Sequence, residues 1–172
     1  MGSVPIQIVD EHDTPIGAAT KQEAWEKGLI HRIVRLMVEN DRGELLLQHR
    51  TPTKDIFPNC WDNSCAGHVD AGEDYRQALQ REIAEELGWR DLELTEIGRY
   101  ETHTVWQGHT FNRFVRVYKA HANKLPAKRE AGKIDGFKWF SLEDVRRLVR
   151  DHPDHATDGL REVIEKFYEE RI

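Results

Sequence analysis

One stretch in the middle of the chain restricts the fold more than any other. Leu79, Ile83 and Leu87 recur at i, i+4 and i+8, which is the spacing of one face of an α-helix. Gly88 can end such a helix. The pattern therefore predicts a helix from about Asp74 to Leu87 that buries this apolar stripe.

Three carboxylates share one edge of the predicted helix. At about 100° per residue, Glu82, Glu85 and Glu86 fall within one arc beside the apolar stripe. Like charges at this spacing repel, and the negative end of the helix dipole adds to the conflict. A divalent cation with a preference for carboxylate oxygens, Mg²⁺ or Mn²⁺, would remove it. The alternative for three glutamates alone is a solvated acidic face.

These glutamates belong to a longer pattern of fixed positions between residues 67 and 89. Its members are Gly67, Glu73, Arg81, Glu82, Ile83, Glu85, Glu86, Leu87, Gly88 and Trp89. The pattern resembles the Nudix box at every fixed position, and on it the chain is identified as a member of the Nudix superfamily. The resemblance implies an α/β (α+β) fold, a Nudix-type α/β/α sandwich with a mixed β-sheet.

The resemblance also implies a chemistry and the residues that perform it. Nudix enzymes cleave the pyrophosphate linkage of nucleoside-diphosphate-type or related diphosphate substrates, by attack of water on phosphorus with the help of Mg²⁺ or Mn²⁺. The metal ligands would be the three glutamates together with the carbonyl of Gly67. Either Glu82 or Glu86 would deprotonate the water. Arg81 can hold a neighbouring glutamate in one rotamer, and Glu73 suits the positive end of the helix dipole.

Residues outside the box supply the remaining site candidates. Arg50, Lys54 and His68 are candidates for substrate binding, although a solvated role is about as plausible for the two cations. Nudix enzymes often take the general base from a loop that precedes a Trp-Phe pair. The nearby acids here are Glu130 and Asp135, each of which could equally be a solvated loop charge.

A second resemblance connects the chain to the isopentenyl diphosphate isomerase branch of the same superfamily. It rests on residues 8–11, 29–32 and 54–68, and His31 and His68 match two of the isomerase metal histidines. The position of the isomerase cysteine is Ala66, with Cys65 one residue early. A slip by one residue in a strand turns a side chain to the opposite face of the sheet.

Two other isomerase positions also differ. The position of the third metal histidine is Ala24, and the catalytic acid is replaced because Phe111-Asn112-Arg113 supplies no carboxylate. The sequence thus favours hydrolysis. Isomerase-like activity and a non-catalytic nucleotide-sensing module are the alternatives, and His31 and His68 are either remnants or contacts to substrate or metal.

The rest of the chain predicts strands mixed with a few helices in one domain spanning residues 1–172. Strands are expected at about 6–9, 33–38, 44–49, 61–66, 92–100, 110–118 and 137–140, and further helices at about 142–150 and 158–170. A polar loop is expected from Lys124 to Gly136. Trp106, flanked by His103 and His109, is also expected on a loop.

Composition limits the partners and the location. The net charge of −6 disfavours nucleic acid and anionic membranes, so a small diphosphate substrate would need a bridging cation. No apolar run is long enough to span a bilayer, and the N-terminus lacks the features of a secretory signal. Cys60 and Cys65 fit neither a disulfide framework nor a metal pair, which favours a cytoplasmic protein. The oligomeric state stays open, and the resemblance is compatible with a homodimer.

Overall fold

The computed structural model describes residues 4–127 and 132–169. Within them, strands and helices alternate along the chain. The strands are β1 (Ile6–Val9), β2 (Pro15–Ala19), β3 (His31–Glu39), β4 (Leu45–Arg50), β5 (Trp61–Asp62), β6 (Cys65–His68), β7 (Thr95–Trp106), β8 (His109–His121) and β9 (Ile134–Phe140). The helices are α1 (Lys21–Lys27), α2 (Tyr75–Glu86), α3 (Leu142–Asp151) and α4 (Asp158–Phe167), with a short 3₁₀ turn at Pro153–His155.

Strand β3 lies at the centre of a mixed sheet. It pairs antiparallel with β6 on one side and parallel with β8 on the other, where the ladder runs from His31↔Arg113 to Glu39↔His121. Residues 40–43 form the turn between β3 and β4, which pair only at Glu39↔Leu45 before they diverge. Strand β4 then pairs with β5 and β9.

Side chains that alternate along β3 build the two layers around the sheet. Val34 and Leu36 pack in the cluster that contains the apolar stripe of α2. Ile33 and Met37 pack in a second cluster, which contains the apolar faces of α3 and α4. The predicted α/β/α layering with a mixed sheet is confirmed.

Helix α2 begins and ends where the sequence predicts. Asp74 accepts a hydrogen bond from the backbone N–H of Gln77, whose side chain accepts one in return from the N–H of Asp74, so both arms of a capping box are present. At the other end Gly88 adopts φ +71°, and its N–H donates to the carbonyl of Ile83. The box glutamates are therefore held on a helix that is fixed at both ends.

Other predicted boundaries were wrong. The region around Trp106 is a long hairpin of β7 and β8, because Gln107 and Gly108 both adopt positive φ and form a two-residue turn. Glutamine is an unusual residue there, which hid the turn from the sequence. The expected loop at 124–136 ends earlier, at Ile134, and its residues 128–131 lie outside the described residues. The expected strand at 61–66 is interrupted at 63–64, and α1 and β2 were not predicted.

In the described ranges, no helix combines the length and the apolar character needed to cross a membrane.

Candidate active site

A cavity of about 250 Å³ opens over one face of three adjacent strands. Its floor is made by residues that alternate along β6, β3 and β8, so that their side chains share one face of the sheet. These floor residues are Ala66, His68, Ile33, Arg35, Phe111 and Arg113. Glu82 and Glu86 of α2 and Gly67 of β6 also line the cavity, which places part of the box at its wall.

Arg81 joins the acidic residues of the box into one network. Its guanidinium donates to both carboxylate oxygens of Glu73, at 2.9 Å each, and to Glu82 at 2.8 Å. It also donates to Glu85 at 3.4 Å and to the carbonyl of His68 at 3.0 Å. The bidentate contact with Glu73 ties the loop before α2 to the helix, and the contact with Glu82 fixes that side chain at the cavity wall.

Glu86 is a buried acid beside a second acid. Its carboxylate accepts hydrogen bonds from the N–H of Ala66 and from Gln48, both at 3.2 Å. Burial, together with the charge of Glu82, raises the pKa of Glu86 to about 8. Burial also raises the pKa of Glu82, against the lowering influence of Arg81. The two carboxylates therefore repel each other, as the sequence predicts for neighbouring glutamates of the box.

The donor set at this wall fits a hard divalent cation. Glu82 and Glu86 supply carboxylate oxygens, and Gly67 leaves the space that Glu82 fills, because a Cβ at residue 67 would overlap the Glu82 carboxyl group. Glu85 is placed differently, since its side chain is 48% exposed. Among the described residues, no three His, Cys, Asp or Glu side chains are grouped closely enough to hold a metal ion.

The predicted phosphate contacts lie on the same cavity. Arg50 and Lys54 line it, together with Lys21 and Lys133, which sequence reasoning missed. Arg50 donates to the carbonyl of Ile56 at 2.7 Å, so it also shapes the loop that carries Lys54. Burial and the charge of Arg50 lower the pKa of Lys54 to about 8.

The side chains of Ala66 and Cys65, at and beside the position of the isomerase cysteine, lie on opposite faces of the sheet. Ala66 lines the cavity, whereas Cys65 is fully buried in the cluster under α2, so the predicted turn of Cys65 to the opposite face is confirmed. His31 is buried with its ring stacked on His68, at 5.5 Å between centroids. Burial lowers the pKa of His31 to about 4 and holds that of His68 well below its usual range, so both rings are neutral near pH 7.

Of the two candidates for the general base, Asp135 is not brought to the cavity. Asp135 accepts a hydrogen bond from Nδ1 of His49 at 2.7 Å, and it is not among the residues that line the cavity. Glu130 lies outside the described residues.

Sequence reasoning also missed charged residues on the cavity floor and beside it. Arg35 and Arg113 lie on its floor, and Asp158 at the start of α4 pairs with Arg113 at 2.5 Å. One signal was available: Arg35 is a charged residue in the apolar run of β3, where burial demands a partner. The identity of that partner depends on α4, which is more than 100 residues away in the chain.

Comparison with known proteins places the chain in a family. The family model of the NUDIX domain matches residues 29–167. Isopentenyl-diphosphate Delta-isomerase 2 of Photorhabdus laumondii is 32% identical over 158 residues, which are 91% of this chain and 88% of that protein. An uncharacterised Nudix hydrolase of Nostoc sp. is 34% identical over 166 residues, which are 95% of each chain. The crystal structure of DR0079 from Deinococcus radiodurans aligns with a TM-score of 0.78 and 25% identity, over 96% of this chain and 99% of that one.

The fold and the box define the class, and the chain belongs to the Nudix family. Within that family it belongs to the branch that resembles isopentenyl diphosphate isomerase.

Proposed function

We propose that the protein is a metal-dependent hydrolase that cleaves the pyrophosphate linkage of a diphosphate compound by attack of water on phosphorus. One observation carries the proposal: Glu82 and Glu86 meet at the wall of a cavity that Arg50 and Lys54 also line. A divalent cation would neutralise the paired buried acids, and the cationic side chains around the same cavity would bind phosphate oxygens.

Each residue at the cavity wall would have its own role in the reaction. Glu82 and Glu86 would hold Mg²⁺ or Mn²⁺, with the carbonyl of Gly67 as a further oxygen donor. When bound, such an ion neutralises phosphate charge and lowers the pKa of water. Arg81 keeps Glu82 oriented through its 2.8 Å contact. Lys54 and Arg50 would bind the phosphate oxygens that remain.

Isomerase chemistry is the second candidate, because several relatives carry the name isopentenyl-diphosphate Delta-isomerase. That chemistry needs a thiol and an acid to move protons across the cavity. Ala66 and Arg113 occupy the corresponding positions and supply neither group. A binding module without turnover is disfavoured because every carboxylate of the box is retained.

A substrate panel with product identification by mass separates these functions. Nucleoside di- and triphosphates, nucleotide sugars, dinucleoside polyphosphates and isopentenyl diphosphate are incubated with Mg²⁺ or Mn²⁺, and with excess EDTA. We expect metal-dependent cleavage of at least one P–O–P linkage and no isomerised product. Turnover in EDTA, or formation of dimethylallyl diphosphate, contradicts the proposal.

Paired variants test the assignment of the acids. Glu86→Gln and Glu82→Gln should each lower kcat/KM by about 100-fold or more while the fold is kept. Glu165→Gln, on the exposed side of α4, is the matched control and should keep wild-type activity. Full activity in both box variants would show that the acids are assigned wrongly.

A further inference from the structure

Two buried arginines on the cavity floor are not used by the chemistry above. Arg35 is 4% exposed and Arg113 is 8% exposed, and both line the cavity. We call this pair, with Asp158 beside it, the arginine end of the cavity. Glu86 bonds to β6, whereas Arg113 is on β8, with β3 between them. In strand spacings, Arg35 on β3 is about 5 Å from β6 and Arg113 on β8 is about 10 Å from it, so the two arginines extend away from the acidic wall along the cavity floor.

The arginine end has more hydrogen-bond donors than partners. Nε and Nη2 of Arg35 and Nε of Arg113 are buried without a hydrogen-bond partner among the described residues. An unpaired buried donor is costly, and more so when it is charged. The structure therefore holds donor capacity that a ligand with several acceptor oxygens would use.

The acids nearby do not meet this demand. Asp158 accepts from Nη2 of Arg113 at 2.5 Å and from the N–H of Gly159 at 2.7 Å, so both of its oxygens are engaged. Glu162 approaches Arg35 only to 4.0 Å, which is beyond hydrogen-bond distance. Oε1 of Glu162 is itself buried without a hydrogen-bond partner, so this pair satisfies neither group.

The backbone of α4 is shaped to admit Arg35. The guanidinium lies against Gly159, where a Cβ would overlap Nη1 and Cζ of Arg35. Arg113 is held from another side, with its guanidinium 4.8 Å from the ring centroid of Phe111. The two groups are thus positioned by packing before any ligand arrives.

We propose that Arg35 and Arg113 form an oxyanion-binding site that receives a second acidic group of the substrate, a carboxylate or a phosphate on the part attached to the diphosphate. The inference rests on the proposed function and narrows its substrate class. The preferred substrate therefore carries a second acidic group in addition to the diphosphate that is cleaved. An apolar tail at this position would leave Nε and Nη2 of Arg35 and Nε of Arg113 without partners, which selects against isoprenoid substrates.

Binding of small oxyanions to the metal-free protein tests the site. Inorganic phosphate and malonate are titrated separately in EDTA by calorimetry, into the wild type and three variants. Arg113→Gln with Asp158→Asn removes the ion pair as a unit, so that no buried charge is left alone. Gly159→Ala keeps every charge and displaces only the Arg35 guanidinium. Lys54→Gln removes a cation elsewhere on the same cavity.

We expect the wild type to bind at least one of the two oxyanions, and the oxyanion that binds identifies the acidic group as phosphate or carboxylate. The double variant and Gly159→Ala should each weaken that binding about tenfold or more, which is the scale of a charge-assisted hydrogen bond. Lys54→Gln, which removes a proposed contact to the diphosphate, should weaken it less than either of these variants. Circular dichroism confirms that each variant is folded, and Gly159→Ala serves as the test if the double variant is not.

Absence of oxyanion binding by the wild type overturns the proposal. So does a loss confined to Lys54→Gln. Because the titrations contain no metal and require no turnover, their failure would leave the proposed hydrolysis standing, and an inactive enzyme would leave the binding result standing.

Discussion

Gly67 leaves the space that the Glu82 carboxyl group occupies, so the sheet and α2 approach closely there. In Gly67→Ala, the new methyl group would occupy the place of the Glu82 carboxyl group and push that side chain away. Because the displaced atoms are the end of a flexible side chain, we expect a small loss of stability. Activity should fall about tenfold or more, since misplacement of a positioned group by an ångström has that scale of effect. Steady-state kinetics and thermal unfolding of one preparation measure both quantities.

Gly17→Ala is the matched control, because no atom lies within 4 Å of a Cβ at that position in β2. It should leave kcat/KM unchanged. If Gly67→Ala retains full activity, or loses stability and activity in proportion, Glu82 is not held as described.

The buried side chain of His31 should make the free energy of unfolding fall at acid pH. Burial lowers its pKa from about 6.5 when unfolded to about 4 in the folded protein. The unfolded chain therefore takes up the proton first, so the contribution to stability is complete above about pH 6.5 and declines as the pH falls towards 4. The shift corresponds to about 3 kcal/mol at most.

Urea unfolding of the wild type and His31→Leu across this range measures the effect. The variant loses the hydrogen bond from Nδ1 to the carbonyl of Leu29, so it should be less stable near neutral pH. Its free energy of unfolding should nevertheless decline less steeply between about pH 6.5 and 4. Equal slopes would show that His31 is not the titrating group.

The sequence could predict single residues only where the signal was local. Glu82 and Glu86 follow from helical spacing, and the position of Cys65 on the face of the sheet opposite Ala66 follows from strand alternation. Arg35 and Arg113 were not recognised, because their setting depends on the parallel pairing of β3 with β8 and on the packing of α4. Long-range pairing of this kind leaves no periodic trace in a single sequence.

At the scale of the element, α2 depends on its N-terminal cap. Asp74→Ala removes the hydrogen bond to the N–H of Gln77 and one arm of the capping box. We expect a loss of about 1 kcal/mol in the free energy of unfolding, measured by chemical denaturation. Asp74→Asn keeps an acceptor in the same place and should lose little. If the two variants are equally destabilised, the charge of Asp74 matters more than its hydrogen bond.

Elements with local start and stop signals were predicted well, and those without them were not. Helix α3 begins at the predicted residue, directly after Ser141, whose hydroxyl accepts from the N–H of Asp144. The β7–β8 hairpin was cut short because Gln107 adopts φ +45°, which its residue type does not announce. That hairpin matters for the site, because Trp106 at its tip packs on Phe57 of the loop that carries Lys54, at 4.8 Å between ring centroids.

At the scale of the whole molecule, the buried acids make both metal binding and the stability of the folded state depend on pH. The chain carries a net charge of −6, and its box places two buried acids together. Without metal, the raised pKa of Glu86, about 8, means that Glu86 binds a proton over most of the neutral range. A carboxylate must be ionised to bind a cation, so binding of Mg²⁺ near neutral pH must release that proton.

The apparent affinity for Mg²⁺ should therefore rise about tenfold per pH unit from about pH 6 to 8, and level off above the pKa of Glu86. Because a ligand that binds only the folded state stabilises it, excess Mg²⁺ should raise Tm more at about pH 8 than at about pH 6. Glu86→Gln should lose most of this dependence on pH, whereas Glu165→Gln should keep it. A Mg²⁺-induced shift in Tm of the same size at both pH values would mean that Glu86 is not a ligand. The exposed Glu85 would then be the better candidate for a metal ligand.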